Sequence, residues 1–403
     1  MSLTQQQELE SHYLMPTFGR KPVELVEGKG MYVYDDTGKK YLDFIAGIGV
    51  VSLGHCHPAL VSALQKQTAR LMHVGNYYYI EKRGEIAQSV SDLLNTKASS
   101  GAEKQEWKSF FTNSGAEANE CAIKLARLAA KRKGKNADTI LTMKRSFHGR
   151  TLATLAATAQ AAKQEAFQPL PAGFVHSPLN DIEALKQLFD SMADSLCAIM
   201  LECVQGEGGV HACTPEFLVA VQKLADKHDV LIIVDEIQTG IYRCGTYPFA
   251  FQHYDIKPDI VTIAKGIGSG FPVGLCAARA DLANAFAPGD HGTTYGGGPL
   301  AIEAIKTTLK TLESLDAGAQ VERQGSYFRQ CLEKIPLCEN VRGLGLMCAC
   351  DLKEPYQAPE VVDKALAQGF LINATGPKTL RFLPPLICTK KDIDTLIAFL
   401  SEL

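Results

Sequence analysis

Apolar runs and helical periodicities alternate along the middle of this chain. Six short runs, each bounded by polar or glycine residues, predict strands, and they lie at 109–113, 138–143, 196–204, 230–238, 259–265 and 273–278. Helical periodicity begins near Pro58 and returns between the later runs. Strands that are separated by helical crossovers are typical of α/β proteins, so we expect a mainly parallel central sheet flanked by helices.

The two ends of the chain carry a different pattern. Polar and apolar residues alternate around Tyr32, which predicts small β elements next to a turn at 36–38. A long helix is predicted over 299–315, and strands are predicted at 343–352 and 379–387. The ends therefore mix strands and helices without the regular alternation of the middle.

The length of 403 residues is more than one compact core needs and suits two or three domains. No internal repeat, low-complexity tract or long linker divides the sequence. From the order of the elements we expect a large domain over 58–298. We expect the N-terminal segment 1–57 and the C-terminal segment 299–403, which starts with a linking helix, to form one smaller α+β domain.

Composition narrows the class of protein. The chain is 46% hydrophobic and 21% charged, as ordinary globular proteins are, and its net charge of −3 argues against nucleic-acid binding. No apolar run reaches membrane-spanning length, and the first residues lack the basic-then-apolar order of a signal peptide. Twelve cysteines without regular spacing are typical of buried thiols in a reducing compartment, so we expect a cytoplasmic location.

The segment GHCHP offers His55, Cys56 and His57 as potential metal ligands. Adjacent residues rarely converge on one ion, and no second cluster follows in the sequence. We therefore expect no metal site.

The segment NSGAEAN predicts the start of a helix. Ser114 and Glu117 have the spacing of a capping box, and Gly115 would let backbone N–H groups approach an anion. The alternative is a well-capped helix with no ligand.

Two charged residues stand where predicted strands end. Asp235 follows the apolar stretch 230–234, and Lys265 precedes a glycine-rich turn. Either residue could simply be solvated, but in a pocket the carboxylate could bind a ligand and the lysine could form a Schiff base. Phe271 replaces the last glycine of a dinucleotide fingerprint, which disfavours a nucleotide site. Glu236 has no assigned chemistry and would hold its loop.

Four further residues are candidates for binding anions. Arg150 lies in a loop, Arg381 lies inside an apolar stretch, and Thr293 and Thr294 supply hydroxyl groups. Each of them taken singly fits an ion pair, a helix cap or a turn equally well.

Together these features match one cofactor. A helix start suits a phosphate, Phe147 an aromatic ring, Asp235 a ring nitrogen and Lys265 an imine. Ile237 would cover the other face of the ring, and Gln238 would donate to its phenolic oxygen. These are the requirements of pyridoxal 5'-phosphate.

The sequence also resembles the class III, or subgroup II, aminotransferases, which have fold type I and use pyridoxal phosphate. The resemblance runs from Tyr13 to the segment LRFLPPLI and rests on GHCHP, NSGAEAN, FHGR, QGEGG, DEIQTG, AKG and TTYGG, in the order typical of the family. Gly298 departs from a common GGNP motif and Cys203 from a common VEP motif. These departures bear on substrate detail rather than on the reaction type.

The resemblance implies roles for individual residues. The implied cofactor-binding residues are Ser114, Gly115, Ala116, Phe147, Asp235, Ile237, Gln238, Lys265 and Thr294. The implied substrate-binding residues are Arg150, Glu207, Thr293 and Arg381. Lys265 and Asp235 would be catalytic, Glu207 would pair with Arg381 while the amine donor is bound, and Thr294 would come from the second subunit of a homodimer.

Within the family, the sequence is most similar to members that act on N2-acetylornithine, and Ile48 stands where members acting on ornithine carry a tyrosine. The expected reaction moves the terminal amino group of N2-acetylornithine to 2-oxoglutarate in arginine biosynthesis. The alternatives are succinylornithine, N-succinyl-diaminopimelate, ornithine or 4-aminobutyrate as amine donor, a glutamate-semialdehyde aminomutase, and a non-catalytic relative.

Overall fold

A computed structural model describes residues 2–97 and 104–403. Within these ranges the strands are β1 (Leu25–Lys29), β2 (Tyr32–Asp35), β3 (Lys40–Asp43), β4 (Trp107–Thr112), β5 (Thr139–Met143), β6 (Phe174–Ser177), β7 (Leu196–Leu201), β8 (Val204–Gln205), β9 (His211–Ala212), β10 (Leu231–Asp235), β11 (Ile260–Ile263), β12 (Gly274–Arg279), β13 (Cys338–Leu344), β14 (Met347–Leu352), β15 (Phe370–Leu371), β16 (Asn373–Ala374) and β17 (Thr379–Phe382).

The α-helices of the same ranges are α1 (Leu3–Tyr13), α2 (Ala46–Gly49), α3 (Pro58–Arg70), α4 (Arg83–Leu94), α5 (Gly115–Arg132), α6 (Leu152–Ala157), α7 (Ala161–Gln164), α8 (Ile182–Met192), α9 (Pro215–His228), α10 (Ala280–Ala283), α11 (Pro299–Ser314), α12 (Ala317–Leu332), α13 (Ala358–Ala367) and α14 (Lys390–Ser401). Short 3-10 helices lie at Glu165–Phe167, Ala193–Ser195, Ala250–His253 and Lys265–Ile267.

A seven-stranded sheet forms the centre of the protein, in the order β4-β12-β11-β10-β7-β5-β6. The neighbours from β11 to β6 are parallel, while β12 runs antiparallel to both β4 and β11. Every residue of β5, β7 and β10 is buried, as expected for strands covered by helices on both faces. The predicted α/β class with a mainly parallel sheet is therefore confirmed.

Helix α5 covers one face of this sheet. Its buried positions include Ala122, Leu125, Ala126 and Ala129, which recur at helical spacing and contact strand residues such as Ile233 in one apolar cluster. Small side chains on the helix let it lie close to the strands. This packing places the N-terminus of α5 at the edge of the sheet where the parallel strands end.

The two ends of the chain meet in smaller sheets. One has the order β1-β2-β3-β15, in which β15 pairs in parallel with β3 although the two strands are more than 300 residues apart. Another has the order β13-β14-β17-β16 and is antiparallel throughout. A separate small-sheet region built from both ends is thus present, while the exact domain limits stay predictions.

Several predicted strands are shorter in the structure, among them the run 230–238, which is a strand only over Leu231–Asp235, and the run 259–265, which is one over Ile260–Ile263. The run 343–352 turns back at Gly345, which has a φ of +52° and ends β13 before β14 begins. The run 379–387 ends at Phe382 because Pro384 and Pro385 have no backbone N–H to continue the ladder. The run 196–204 ends as a strand at Leu201, and the short β8 follows.

The structure has an N-terminal helix, α1, that the pattern of apolar residues does not predict. Its local signal is the capping box that Ser2 forms with Gln5. No side chain of α1 is buried, so the helix carries no apolar stripe that a periodicity search would detect.

In the described parts of the chain, none of the helices combines the length and the apolar character that a membrane crossing requires. His55 of the GHCHP segment has a structural partner, because its Nε2 lies 2.8 Å from Oδ2 of the buried Asp43. Asp43 in turn accepts hydrogen bonds from the N–H groups of Ile45 and Ala46. These contacts fix the turn after β3.

Candidate active site

A cavity of about 450 Å³ opens at the carboxyl ends of the parallel strands β5, β7, β10 and β11. Open α/β sheets bind their ligands at this edge. Its lining comes mainly from loops that follow these strands and from the N-terminus of α5, with Val50 added from the end of α2: Val50, Asn113, Ser114, Gly115, Ala116, Phe147, His148, Gly149, Arg150, Glu202, Glu207, Asp235, Ile237, Gln238, Thr239, Ala264, Lys265, Gly270, Phe271, Pro272 and Val273.

Asp235 is the last residue of β10 and is buried in the floor of the cavity. Its Oδ2 accepts a hydrogen bond from Asn119 Nδ2 at 2.8 Å and lies 2.8 Å from His148 Nδ1. Its Oδ1 accepts from the Ile237 N–H at 3.0 Å. Three partners therefore fix the orientation of this carboxylate.

His148 and Asn119 are site residues that the sequence reasoning missed. Burial disfavours the charged form of His148, but the hydrogen bond and negative charge of Asp235 outweigh it and raise the pKa of the imidazole. The only sequence signal is position, since His148 lies beside Phe147 and Asn119 lies in NSGAEAN. A polar residue inside a helix or a loop does not reveal its distant partner.

Glu236 faces away from the cavity. Its carboxylate accepts hydrogen bonds from the Thr239 hydroxyl at 2.6 Å and from the N–H groups of Ala250 and Phe251 at 3.0 and 2.8 Å. Burial raises its pKa to about 7. Glu236 therefore holds the loop after β10 against the segment at 250–251.

Lys265 lies in the cavity wall, two residues after the end of β11, where it begins a short 3-10 helix. Its backbone has a φ of +46°, a left-handed conformation that a non-glycine residue adopts only under constraint. Burial lowers the pKa of its amine to about 8, against an opposing effect from the negative charges of Glu207 and Asp235. A lysine of this kind is partly neutral near physiological pH and can act as a nucleophile or a base.

Ser114 begins α5 and accepts a hydrogen bond from the Glu117 N–H at 3.2 Å. The predicted reciprocal capping box is not formed, because the Glu117 carboxylate accepts instead from the N–H of Asn113 at 2.8 Å. Glycine at 115 leaves room for Ile237, since a Cβ there would lie 2.8 Å from Ile237 Cδ1 and would displace that side chain. The start of this 18-residue helix therefore stays open to the cavity and favours an anion.

Glu202 links two loops of the site and has no role in the sequence-based assignment. One carboxylate oxygen accepts from the Phe147 N–H at 3.1 Å, and the other accepts from the Gly206 N–H at 3.3 Å. Burial raises the pKa of Glu202 to about 7. The residue thus holds the aromatic ring of Phe147 and the loop that carries Glu207 in one arrangement.

Arg381 of β17 forms an ion pair with Glu207 at 2.5 Å, and its Nε and NH2 groups donate to Asn373 Oδ1 at 3.2 and 2.7 Å. The Arg381 side chain is 2% exposed, whereas that of Glu207 is 25% exposed. Burial opposes ionisation of Glu207, but the charge of Arg381 outweighs it and lowers the pKa. Gln238 Oε1 accepts from Arg381 at 3.5 Å, which leaves the Gln238 NH2 group as a donor.

Thr293 and Thr294 do not line this cavity. Both line a second cavity of about 1010 Å³ together with Tyr77, Tyr79 and Arg83. Thr293 Oγ1 accepts from Asn113 Nδ2 at 3.3 Å, which connects it to the start of α5. Within one chain the structure therefore brings together every predicted site residue except these two threonines.

The first cavity fits pyridoxal phosphate at four points. The start of α5 can bind the phosphate, the Lys265 amine can hold the aldehyde carbon, and Asp235 can pair with the ring nitrogen. The ring requires an apolar slot, which Phe147 and Ile237 supply. No described group of three or more His, Cys, Asp or Glu residues could hold a metal ion.

Fold and site together define a pyridoxal-phosphate-dependent transferase of fold type I. A family model described as aminotransferase class III matches residues 16–403. The chain belongs to the class III aminotransferases, and it is a pyridoxal-phosphate-dependent transaminase. The cofactor and the reaction class expected from the sequence are thereby confirmed.

Individual relatives are similar over almost their whole length. The acetylornithine aminotransferase of Caldanaerobacter subterraneus subsp. tengcongensis is 48% identical over 398 residues, covering 98% of this chain and 97% of the relative. That of Methanocaldococcus jannaschii is 46% identical, covering 98% and 96%. Among solved structures, the ornithine aminotransferase of Toxoplasma gondii ME49 has a TM-score of 0.91 at 29% identity, covering 100% and 94%. The acetylornithine aminotransferase of Elizabethkingia anophelis has a TM-score of 0.84 at 31% identity, covering 100% and 98%.

Proposed function

We propose that this enzyme transfers the terminal amino group of N2-acetyl-L-ornithine to 2-oxoglutarate, giving N-acetyl-L-glutamate 5-semialdehyde and L-glutamate. The observation that carries the proposal is the Glu207–Arg381 pair next to Lys265. It presents a neutralised arginine to an amine donor with one carboxylate and can present a free arginine to a dicarboxylate. The relatives at 46–48% identity, which are named for acetylornithine, support this assignment and a place in arginine biosynthesis.

The cofactor would be held by Lys265 at its aldehyde carbon, by the start of α5 at its phosphate, and by Asp235 at its ring nitrogen. When bound, it supplies an electron-withdrawing ring that stabilises negative charge at the substrate carbon. Asp235, oriented by His148 and Asn119, would keep a proton on the ring nitrogen. Phe147 and Ile237 would pack on the two faces of the ring.

Lys265 has a second task once the substrate amine has taken its place at the cofactor. The residue lies in the cavity wall, where its Nζ would act as the base that takes the proton from the substrate carbon bearing the amino group and then as the acid that gives it back. Because the pKa of the Lys265 amine is about 8, a useful fraction of it is neutral near pH 7.5 and can accept a proton. The same pKa keeps the amine basic enough to take that proton from carbon.

The two half-reactions place different demands on the same cavity. Arg150 at the cavity mouth would bind the carboxylate farthest from the reacting amine, which is the α-carboxylate of acetylornithine or the side-chain carboxylate of glutamate. Arg381 would bind the α-carboxylate of glutamate after Glu207 has moved away. Acetylornithine has only one carboxylate, so Glu207 would remain paired with Arg381 while this substrate is bound.

A panel of amine donors tests this proposal. Purified holoenzyme would be assayed with acetylornithine, succinylornithine, N-succinyl-diaminopimelate, ornithine and 4-aminobutyrate, each with 2-oxoglutarate as acceptor. We expect kcat/KM for acetylornithine to exceed that for ornithine by at least about tenfold, because ornithine brings an uncompensated α-ammonium group to the site. A higher kcat/KM for ornithine or 4-aminobutyrate would contradict the assignment.

We also infer that the enzyme is a homodimer in which Thr294 of one subunit completes the other site. Four large apolar side chains support this, because Met72, Tyr77, Tyr79 and Tyr295 are each at least 60% exposed in the single chain. Tyr77 and Tyr79 line the second cavity together with Thr294. The twelve free cysteines support a reducing, cytoplasmic environment.

A further inference from the structure

Two cations lie near the ring of Phe147, which lines the cavity together with one of them, Arg150. The Arg150 guanidinium carbon is 5.6 Å from the centroid of the ring, and Lys163 Nζ is 6.0 Å from the same centroid. Within residues 2–97 and 104–403, neither cation has a carboxylate at ion-pair distance, in contrast to Arg381. An unpaired pair of like charges beside a ligand cavity favours the binding of an anion.

Lys163 is positioned by its own segment of chain. It belongs to α7, and its Nζ donates to the side-chain oxygen of Gln160. The Gln160 Nε2 donates to the carbonyl of Ser146, the residue before Phe147, at 2.9 Å. Gln164 fixes the other end of α7 by donating to the Thr158 carbonyl at 2.8 Å. The ammonium group is therefore tied to the Phe147 loop by neutral groups alone.

The charge of Lys163 also interacts with the groups of the cavity. Burial lowers the pKa of Lys163, the positive charge of Arg150 lowers it further, and the negative charge of Glu207 opposes both. The charges of Arg150 and Glu207, two residues that line the cavity, therefore act on Lys163. A carboxylate bound at Arg150 would relieve the repulsion between the two cations.

We propose that Lys163 is a second specificity-determining residue, which binds together with Arg150 the carboxylate at the end of the substrate farthest from the reacting amine. This rests on the proposed function of the cavity and narrows its substrate class to ω-amines that carry such a carboxylate. On this proposal one oxygen of the carboxylate accepts from the Arg150 guanidinium and the other from the Lys163 ammonium, the two cations that approach the Phe147 ring. Lys163 would contribute to substrate binding and not to the proton transfer at Lys265.

The experiment compares two amines that differ by one carboxylate. Acetylornithine and N-acetyl-1,4-diaminobutane share the acetamide, the chain and the terminal amine, and only the former has the carboxylate. For Lys163→Met holoenzyme we expect the KM for acetylornithine to rise about tenfold with kcat within about twofold of wild type, the effect of losing one charge-assisted hydrogen bond. We expect kcat/KM for N-acetyl-1,4-diaminobutane to stay within about twofold of wild type, because this amine has no carboxylate for Lys163 to bind.

Two further variants separate charge from structure. Lys163→Arg keeps the cation and should restore most of the affinity for acetylornithine, whereas Lys186→Met removes a half-exposed lysine of α8 and should change nothing. An equal loss with both amines, or an unchanged KM for acetylornithine in Lys163→Met, would overturn the inference. If wild-type enzyme did not convert acetylornithine at all, the proposed function would fail. Lys163 would then be judged by the KM for glutamate, whose side-chain carboxylate occupies the same end.

Discussion

At the scale of single residues, burial gives two neighbouring acids different tasks. Asp235 and Glu236 are adjacent, yet the former faces His148 in the cavity and the latter faces backbone N–H groups on the opposite side. The alternation of side chains at the end of β10 causes this division, because successive residues of an extended chain point in opposite directions. One acid is therefore available for chemistry and the other for structure.

Lys265 shows the cost of placing a reactive amine inside a protein. Lys265→Met should abolish transamination and should stabilise the protein from which cofactor has been removed. At pH 7 the Lys265 amine of the folded wild type is still mostly protonated, although burial lowers its pKa to about 8. Keeping this charge buried costs at most about 3 kcal/mol of unfolding free energy, at about 1.36 kcal/mol per pKa unit. Urea denaturation of both apoproteins would measure the difference.

The pH dependence of that difference has a defined sign. In the unfolded chain the pKa of this lysine is near 10.5, whereas in the folded chain it is about 8. The wild type should therefore gain stability relative to Lys265→Met as pH rises from about 8 to 10.5, and the penalty should be complete below 8. The exposed Lys310 is a matched control, because Lys310→Met should be neutral. A less stable Lys265→Met at pH 7 would show that the buried charge has no net cost.

At the scale of elements, the start of α5 serves both stability and ligand binding. Ser114 caps α5 through the Glu117 N–H, and Thr214 caps α9 in the same way through the Phe217 N–H at 3.2 Å. Ser114→Ala and Thr214→Ala should each cost about 1 kcal/mol of unfolding free energy. Fluorescence titration of the apoprotein with pyridoxal phosphate should show weaker binding only in Ser114→Ala. Equal cofactor affinities in both variants would remove Ser114 from the cofactor site.

The Glu207–Arg381 contact joins the loop after β8 to the strand β17 of a different sheet. We expect Glu207→Gln to impair the acetylornithine half-reaction about tenfold or more while sparing the glutamate half-reaction, because it leaves Arg381 unneutralised. Arg381→Met should do the reverse. Single-turnover absorbance changes of the cofactor would report each half-reaction separately. Equal losses in both halves for both variants would mean that the pair serves the scaffold.

At the scale of the whole molecule, the position of Thr294 predicts that the site is shared between subunits. Co-expression of Lys265→Met and Thr294→Asp chains would give mixed dimers in which one site has neither change. Random pairing should then restore about a quarter of wild-type activity, although each variant alone is inactive. If each site used its own Thr294, no mixed dimer could have an intact site and no activity would return. Sedimentation of both variants provides the control for assembly.

Local features of this protein follow from its amino-acid sequence alone. Apolar runs of five to nine residues located six of the seven strands of the central sheet, since burial selects such runs wherever the strand lies in the fold. The edge strand β6 (Phe174–Ser177) is not predicted, because three of its four residues are only partly buried and its sequence carries no apolar run. Polar residues that end those runs, Asp235 and Lys265, could be assigned because their chemistry is unusual at the end of a buried strand. The resemblance to the class III aminotransferases, and not the pattern, indicated the pairing of Glu207 with Arg381.

Contacts between distant residues depend instead on the folded chain. His148 and Asn119 reach Asp235 across 87 and 116 positions of sequence. Lys163 and Arg150 both approach the ring of Phe147 because α7 folds back on the Phe147 loop. Strand ends also depend on the fold, as at Gly345, where the chain must turn beside the Arg243 carbonyl. Local composition reports whether a residue prefers burial, but the identity of its partner depends on crossovers that bring separate segments to one edge of the sheet.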